Sequence, residues 1–212
     1  MGPIAMLKPQ DLLITLKLAA LHAKSDLRET AVEQWIAQLQ SSRQSRVEDS
    51  VREIDLDPAS DWSYRSISEA TGISLAEVSA AIKRAIKSNL LIKLDEKSRP
   101  IPVRQSLHEF IEHGVRYVYP AERGAPVRGI PTAFASALFD GKISATNELP
   151  PVWRYAAGST SGYALSPIYK SAPAAAAKDP MLYELLVLVD VFRIGREREK
   201  SIARELLKER LS

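Results

Sequence analysis

The chain has 212 residues, 45% apolar and 26% charged, the balance of a folded globular protein rather than a disordered one, and its formal net charge is only +3. It contains no cysteine, which excludes disulfides, thiol nucleophiles and cysteine-held zinc and makes a cytoplasmic setting the expectation. The longest apolar runs, such as 185–189, are far too short to cross a bilayer, and the N-terminus lacks the basic region and cleavage site of a signal peptide, so no membrane partner is expected.

Pro9 at a first-turn position, followed by Asp11, starts a helix whose apolar residues Leu12, Leu13, Leu16, Ala19 and Ala20 recur near the helical period. A second amphipathic pattern follows from Glu29, with Val32, Trp35, Ile36 and Leu39 on one face. A Ser/Gln/Arg-rich run at 40–46 interrupts it before Val47, Val51 and Ile54 resume the spacing. The expectation is an inserted helical segment at about 24–60, in which 29–55 is one interrupted helix and 57–60 a linker.

Residues 62–91 carry the clearest pattern. Ser66 and Glu69 stand at capping-box spacing, Gly72 suits a left-handed helix stop, and Ser74 with Glu77 repeats the box, which together predict two helices around a tight turn. In the second helix Leu75, Val78, Ile82 and Ile86 are expected to face inward. The outer face is small at its start (Ala76, Ser79, Ala80) and basic at its end (Lys83, Arg84, Lys87). Small residues let a backbone approach base edges, and cations meet phosphates.

Next, 91–94 reads as a short strand, 95–100 as a polar turn and 101–103 as a returning edge strand, making a wing. From Ser74 to Arg104 there are seven cations against three anions, a local excess greater than the net charge of the whole chain. Neutralising phosphate with release of counterions requires such an excess.

On the runs 64–74 and 83–91 the chain resembles the winged helix-turn-helix regulators of bacteria, loosely MarR-like, over about residues 8–115. Residues 114–124 also resemble a group of uncharacterised bacterial regulators. The resemblance implies sequence-specific binding of double-stranded DNA by a homodimer, with residues 74–88 in the major groove and 91–103 on the backbone. The residues expected at the DNA are Tyr64, Arg65, Ser74, Ala76, Glu77, Ser79, Ala80, Lys83, Arg84, Lys87, Lys93, Lys97 and Arg99.

Residues 103–114 read as a helix with Leu107, Phe110 and Ile111 inward and Gly114 as its C-cap, closing a first domain at 1–114. Prolines and glycines at 120–131 predict an extended crossing of the surface, 132–139 a short helix, and 141–169 a loop-rich stretch. Asp179 caps a helix with Pro180 at its first position and Leu182, Leu185, Leu186, Val189 and Phe192 inward. Gly195 interrupts it, and a charged last helix carries Ile202, Leu206, Leu207 and Leu211. The fold expected is mainly α with a small β-wing, the second domain at 115–212 being α-rich and loop-rich.

Catalytic and metal motifs are not evident. His108 and His113 are five residues apart, about 140° around a helix, which cannot turn both rings toward one zinc. Residues 158–162 have Thr160 where a nucleophile elbow needs serine. The expectation is a non-enzymatic regulator without cofactor or metal. The competing reading is an interaction module or antitoxin-like protein, whose C-terminal half holds a protein partner and whose DNA binding is secondary or absent.

Overall fold

A computed structural model of the protein describes residues 6–41, 61–95, 98–143 and 148–211. The first helix, α1 (Pro9–Ser41), is continuous for 33 residues, about 50 Å at the usual helical rise. The break expected ahead of Glu29 is absent, because residues 22–28 contain neither proline nor glycine to interrupt the hydrogen-bond ladder. Residues 42–60, with the remainder of the expected helical segment and its linker, lie outside the described residues.

Every residue from Asp11 to Leu21 is buried, so this part of α1 is enclosed on all sides rather than amphipathic. It is surrounded by α2 (Tyr64–Thr71), α3 (Leu75–Lys87), α7 (Pro180–Ile194) and α8 (Glu197–Leu211). Three polar residues inside it have partners. Thr15 Oγ1 donates to Asp11 O at 2.8 Å, Lys17 pairs with Asp179, and Asp11 pairs with Arg84.

After α3, β1 (Leu91–Ile92) and β2 (Ile101–Pro102) form an antiparallel hairpin with Leu91 opposite Pro102 and Ile92 opposite Ile101. The expected helix then follows as α4 (Arg104–Glu109), with Leu107 and Ile111 buried and Phe110 half-buried. Gly114 does not end it. The chain widens into a π-turn at Phe110–Gly114 and continues as α5 (Val115–Val118), and the Phe110 ring occupies the space a Gly114 Cβ would need, 2.9 Å away.

The largest correction concerns 141–165. The extended run expected at 120–131 is β3 (Arg123–Pro131), and in place of the loop-rich stretch β4 (Pro151–Arg154) and β5 (Thr160–Leu165) join it in a closed three-stranded sheet in which each strand pairs with both others. β3 is antiparallel to β4 and β5, which are parallel to each other with Pro151 opposite Tyr163. Closure on so few strands brings backbones into direct contact. A Cβ at Gly129 would lie 1.9 Å from Trp153 O, and one at Gly162 2.0 Å from Pro150 O. The punctuation that suggested loops is what permits the closure. The short helix expected at 132–139 is two 3₁₀ turns, at Ala133–Ala135 and Ala137–Phe139.

The C-terminal helices follow expectation. Asp179 accepts from Leu182 N at 3.3 Å, Pro180 opens α7, and Gly195 separates it from α8. α7 is buried from Leu185 to Arg193 and lies against α1, α8, the short α6 (Ala172–Ala176) and the first 3₁₀ turn. α8 is tied down by ion pairs from Arg204 to Glu112 and from Arg210 to Glu184, and buries Ala203, Leu206, Leu207 and Leu211.

One hydrophobic core runs from Leu12 to Leu211 and includes residues on both sides of position 114. Asp190, inside α7, is its polar centre. It accepts from Thr132 Oγ1 at 2.8 Å, Trp153 Nε1 at 2.7 Å and Arg193 Nη1 at 2.6 Å, while Arg193 Nε donates to Tyr119 O at 2.8 Å. That network joins the sheet, α5 and α7, and a buried network of this kind is stable only when each member is satisfied.

Candidate nucleic-acid interface

α2 starts earlier than its apparent capping box. Ser63 is the N-cap, accepting from Ser66 N at 3.0 Å, and Ser66 already lies in the first turn. At the other end Gly72 has φ +66° and its N–H donates to Ser68 O at 2.8 Å, while Ser68 Oγ donates to Ile73 O at 2.6 Å across the turn. The turn is also held from behind, where Ser171 Oγ, beside α6, donates to Thr71 O at 2.6 Å.

Ser74 caps α3, accepting from Glu77 N at 3.4 Å. The reciprocal half of the box is missing, because the Glu77 carboxylate turns along the helix to Arg84 and receives Gln10 Nε2 at 3.1 Å. Hydrogen bonds from Arg84 and Gln10 hold its pKa below the usual carboxylate value. Val78, Ala81, Ile82 and Ala85 form the buried face. Leu75, expected among them, stands at the first helical position and is 50% exposed.

Arg84 does not share the outer face with its neighbours. Its Nε donates to Asp11 Oδ2 at 2.8 Å and its Nη2 to Asp11 Oδ1 at 2.6 Å, a two-pronged pair with a fully buried carboxylate, and it also reaches Glu77. These bonds raise its already high pKa and lock α3 onto α1. Lys83 and Lys87, one turn apart, are exposed, as are Ala76, Ser74 and Arg65. Ser79 and Ala80 are half-buried.

The hairpin is joined to the start of α2 by two cation–ring contacts. The Arg99 guanidinium lies 5.2 Å from the centre of the Trp62 ring and Lys93 Nζ 5.9 Å from that of Tyr64. Trp62 is buried, with His22 of α1 edge-on against its ring at 4.5 Å. His22 Nε2 in turn donates to Pro100 O at 3.2 Å. Lys97 lies outside the described residues.

The structure therefore sets Lys93 on Tyr64 and Arg99 on Trp62 and leaves the outer face of α3 clear, while Glu77 and Arg84 are drawn inward. Sequence reasoning missed Asp11 and Trp62 as the residues that position this region. Asp11 is 73 residues from Arg84 and no local signal links them. Trp62 carried a signal, an aromatic residue just ahead of a helix cap, but its cation lies beyond the hairpin turn.

Among the described residues no cluster of three or more metal-ligating side chains is present, and no helix is long and apolar enough to cross a membrane. His108 and His113 both lie near Glu112, at 3.6 and 3.8 Å. Comparison with known proteins finds no matching family model, curated protein or solved structure.

Proposed function

We propose that the protein is a winged helix-turn-helix regulator of transcription, a non-catalytic, cytoplasmic bacterial protein that binds specific double-stranded DNA as a homodimer. One observation carries the reading. The outer face of α3 holds small residues at its start and exposed Lys83 and Lys87 at its end, beside a hairpin whose Arg99 is laid on a buried indole.

In this reading α3 enters the major groove, with Ser74, Ala76, Ser79 and Ala80 nearest the bases and Lys83 and Lys87 on phosphate. β1 and β2 form the wing, where Arg99 and Lys93 meet the adjacent backbone, and Arg65 contacts phosphate from α2. Arg84 and Glu77 hold α3 at its angle on α1 and do not contact DNA. A dimer would place two such helices about 34 Å apart, one turn of DNA.

Fluorescence anisotropy with duplex DNA from upstream of its own coding region tests the proposal. Binding should be tight and weaken steeply with salt, with a slope of about 0.9 per phosphate contact. Absence of binding at low salt, with a stoichiometric protein partner recovered instead, would replace it with the interaction-module reading.

A further inference from the structure

Away from α3, a cleft of about 380 Å³ opens between the end of β3, the β4–β5 connection and the start of α7. This is at the lower end of the roughly 300–1,000 Å³ typical of small-molecule sites and suits one or two rings. Its walls include Pro131, Tyr155, Ser159, Ala177, Pro180 and Tyr183.

Three features define its chemistry. Its lining contains no Lys, Arg, Asp or Glu, so it offers an ion no counter-charge. Its walls include four rings, two tyrosines and two prolines, which favour an aromatic guest. The hydroxyls of Tyr155 and Ser159 make no hydrogen bond among the described residues and supply the few polar groups that orient a ligand in an otherwise apolar site.

The walls are also held in place. Tyr183 donates from its hydroxyl to Pro131 O at 2.8 Å and stands edge-on to Trp153, with ring centres 5.9 Å apart. The β4–β5 connection is pressed onto β3 so closely that a Cβ at Gly158 would lie 2.3 Å from Gly129 C.

We propose that this cleft binds an uncharged aromatic small molecule of one or two rings, its ring on the tyrosine and proline surfaces and a polar group at the Ser159 and Tyr155 hydroxyls. The proposal is independent of DNA binding. α6 ends in its wall at Ala176 and begins next to Ser171, the residue that holds Thr71 at the α2–α3 turn, so the site is one short helix from that turn.

Calorimetry and ligand-observed NMR on the full chain test it, with indole and 4-methylphenol as probes and indole-3-carboxylate and benzylamine as charged controls. Saturable one-to-one binding of an uncharged probe is expected, with the charged controls at least roughly tenfold weaker, the loss expected for an unpaired charge. Ala177→Phe fills the cleft from an exposed position. It should abolish binding without changing Tm, and Ser159→Ala should weaken it several-fold. No saturable binding of either uncharged probe overturns the proposal, as does equal binding of the charged controls or binding that survives Ala177→Phe.

Discussion

Lys83 and Arg84 are adjacent in the chain, and the fold gives them opposite surroundings. Arg84→Ala leaves the Asp11 carboxylate buried without its partner and should cost about 3 kcal/mol or more, read as a fall in Tm. Lys83→Ala and Lys87→Ala should change stability by no more than about 0.5 kcal/mol. Each should instead lower the salt slope of DNA binding by about 1. If Arg84→Ala melts like the wild type, Arg84 is not the lock between α3 and α1. Asp179 makes a second test. Burial pushes its carboxyl up, but hydrogen bonds from Lys17 and Lys24, both at 2.8 Å, outweigh that and hold it below the usual value. A native pKa below the unfolded one contributes stability that is complete above the unfolded value and lost as pH falls through the native one. Asp179→Asn should therefore destabilise by about 3 kcal/mol near neutral pH, and its deficit should shrink below about pH 4, measured by thermal melts across that range.

At the scale of elements, turns and closures depend on particular glycines for different reasons. Gly72 ends α2 with a positive φ, and a Cβ there would also approach Ser171 Cβ at 3.3 Å, so Gly72→Ala should cost about 1–2 kcal/mol while α2 and α3 persist. Gly129→Ala places carbon on a backbone oxygen inside the closed sheet, where neither strand can withdraw without breaking its pairing. It should lose the cooperative melt altogether. Circular dichroism melts of the two variants distinguish the cases, and comparable stability in both would refute the difference. The helices here were legible from sequence wherever a cap and a period coincided, as at Ser74 and Asp179. α1 was only partly legible, because the polar residues at 22–28 interrupt its apolar pattern without interrupting the helix. β3 was legible only as extended chain, and β4 and β5 were read as loop because four to six residues leave too little alternation to read.

Over the whole molecule, the residues that cover Asp11–Leu21 come from before and after position 114. α7 and α8 as well as α2 and α3 pack on α1, and the Asp190 network ties the sheet to α7. A fragment of residues 1–114, the first domain expected from sequence, would expose the α7-facing side of α1 and leave Lys17 without Asp179. It should show no cooperative thermal transition, whereas the full chain should unfold in a single step by both Trp fluorescence and circular dichroism. A cooperative melt of the fragment would refute the single-core description.

By itself the sequence determined the α2–turn–α3 pair, the hairpin after it, the last two helices and the local excess of positive charge, since caps, glycine stops, periodicity and charge counts act within one or two turns of chain. Only the tertiary structure decided which of those charges face outward, that Arg84 is bound to Asp11, that Trp62 carries Arg99, and that β3, β4 and β5 close on one another. Each of these depends on groups distant along the chain meeting at a few ångströms, and local sequence holds no record of such a meeting.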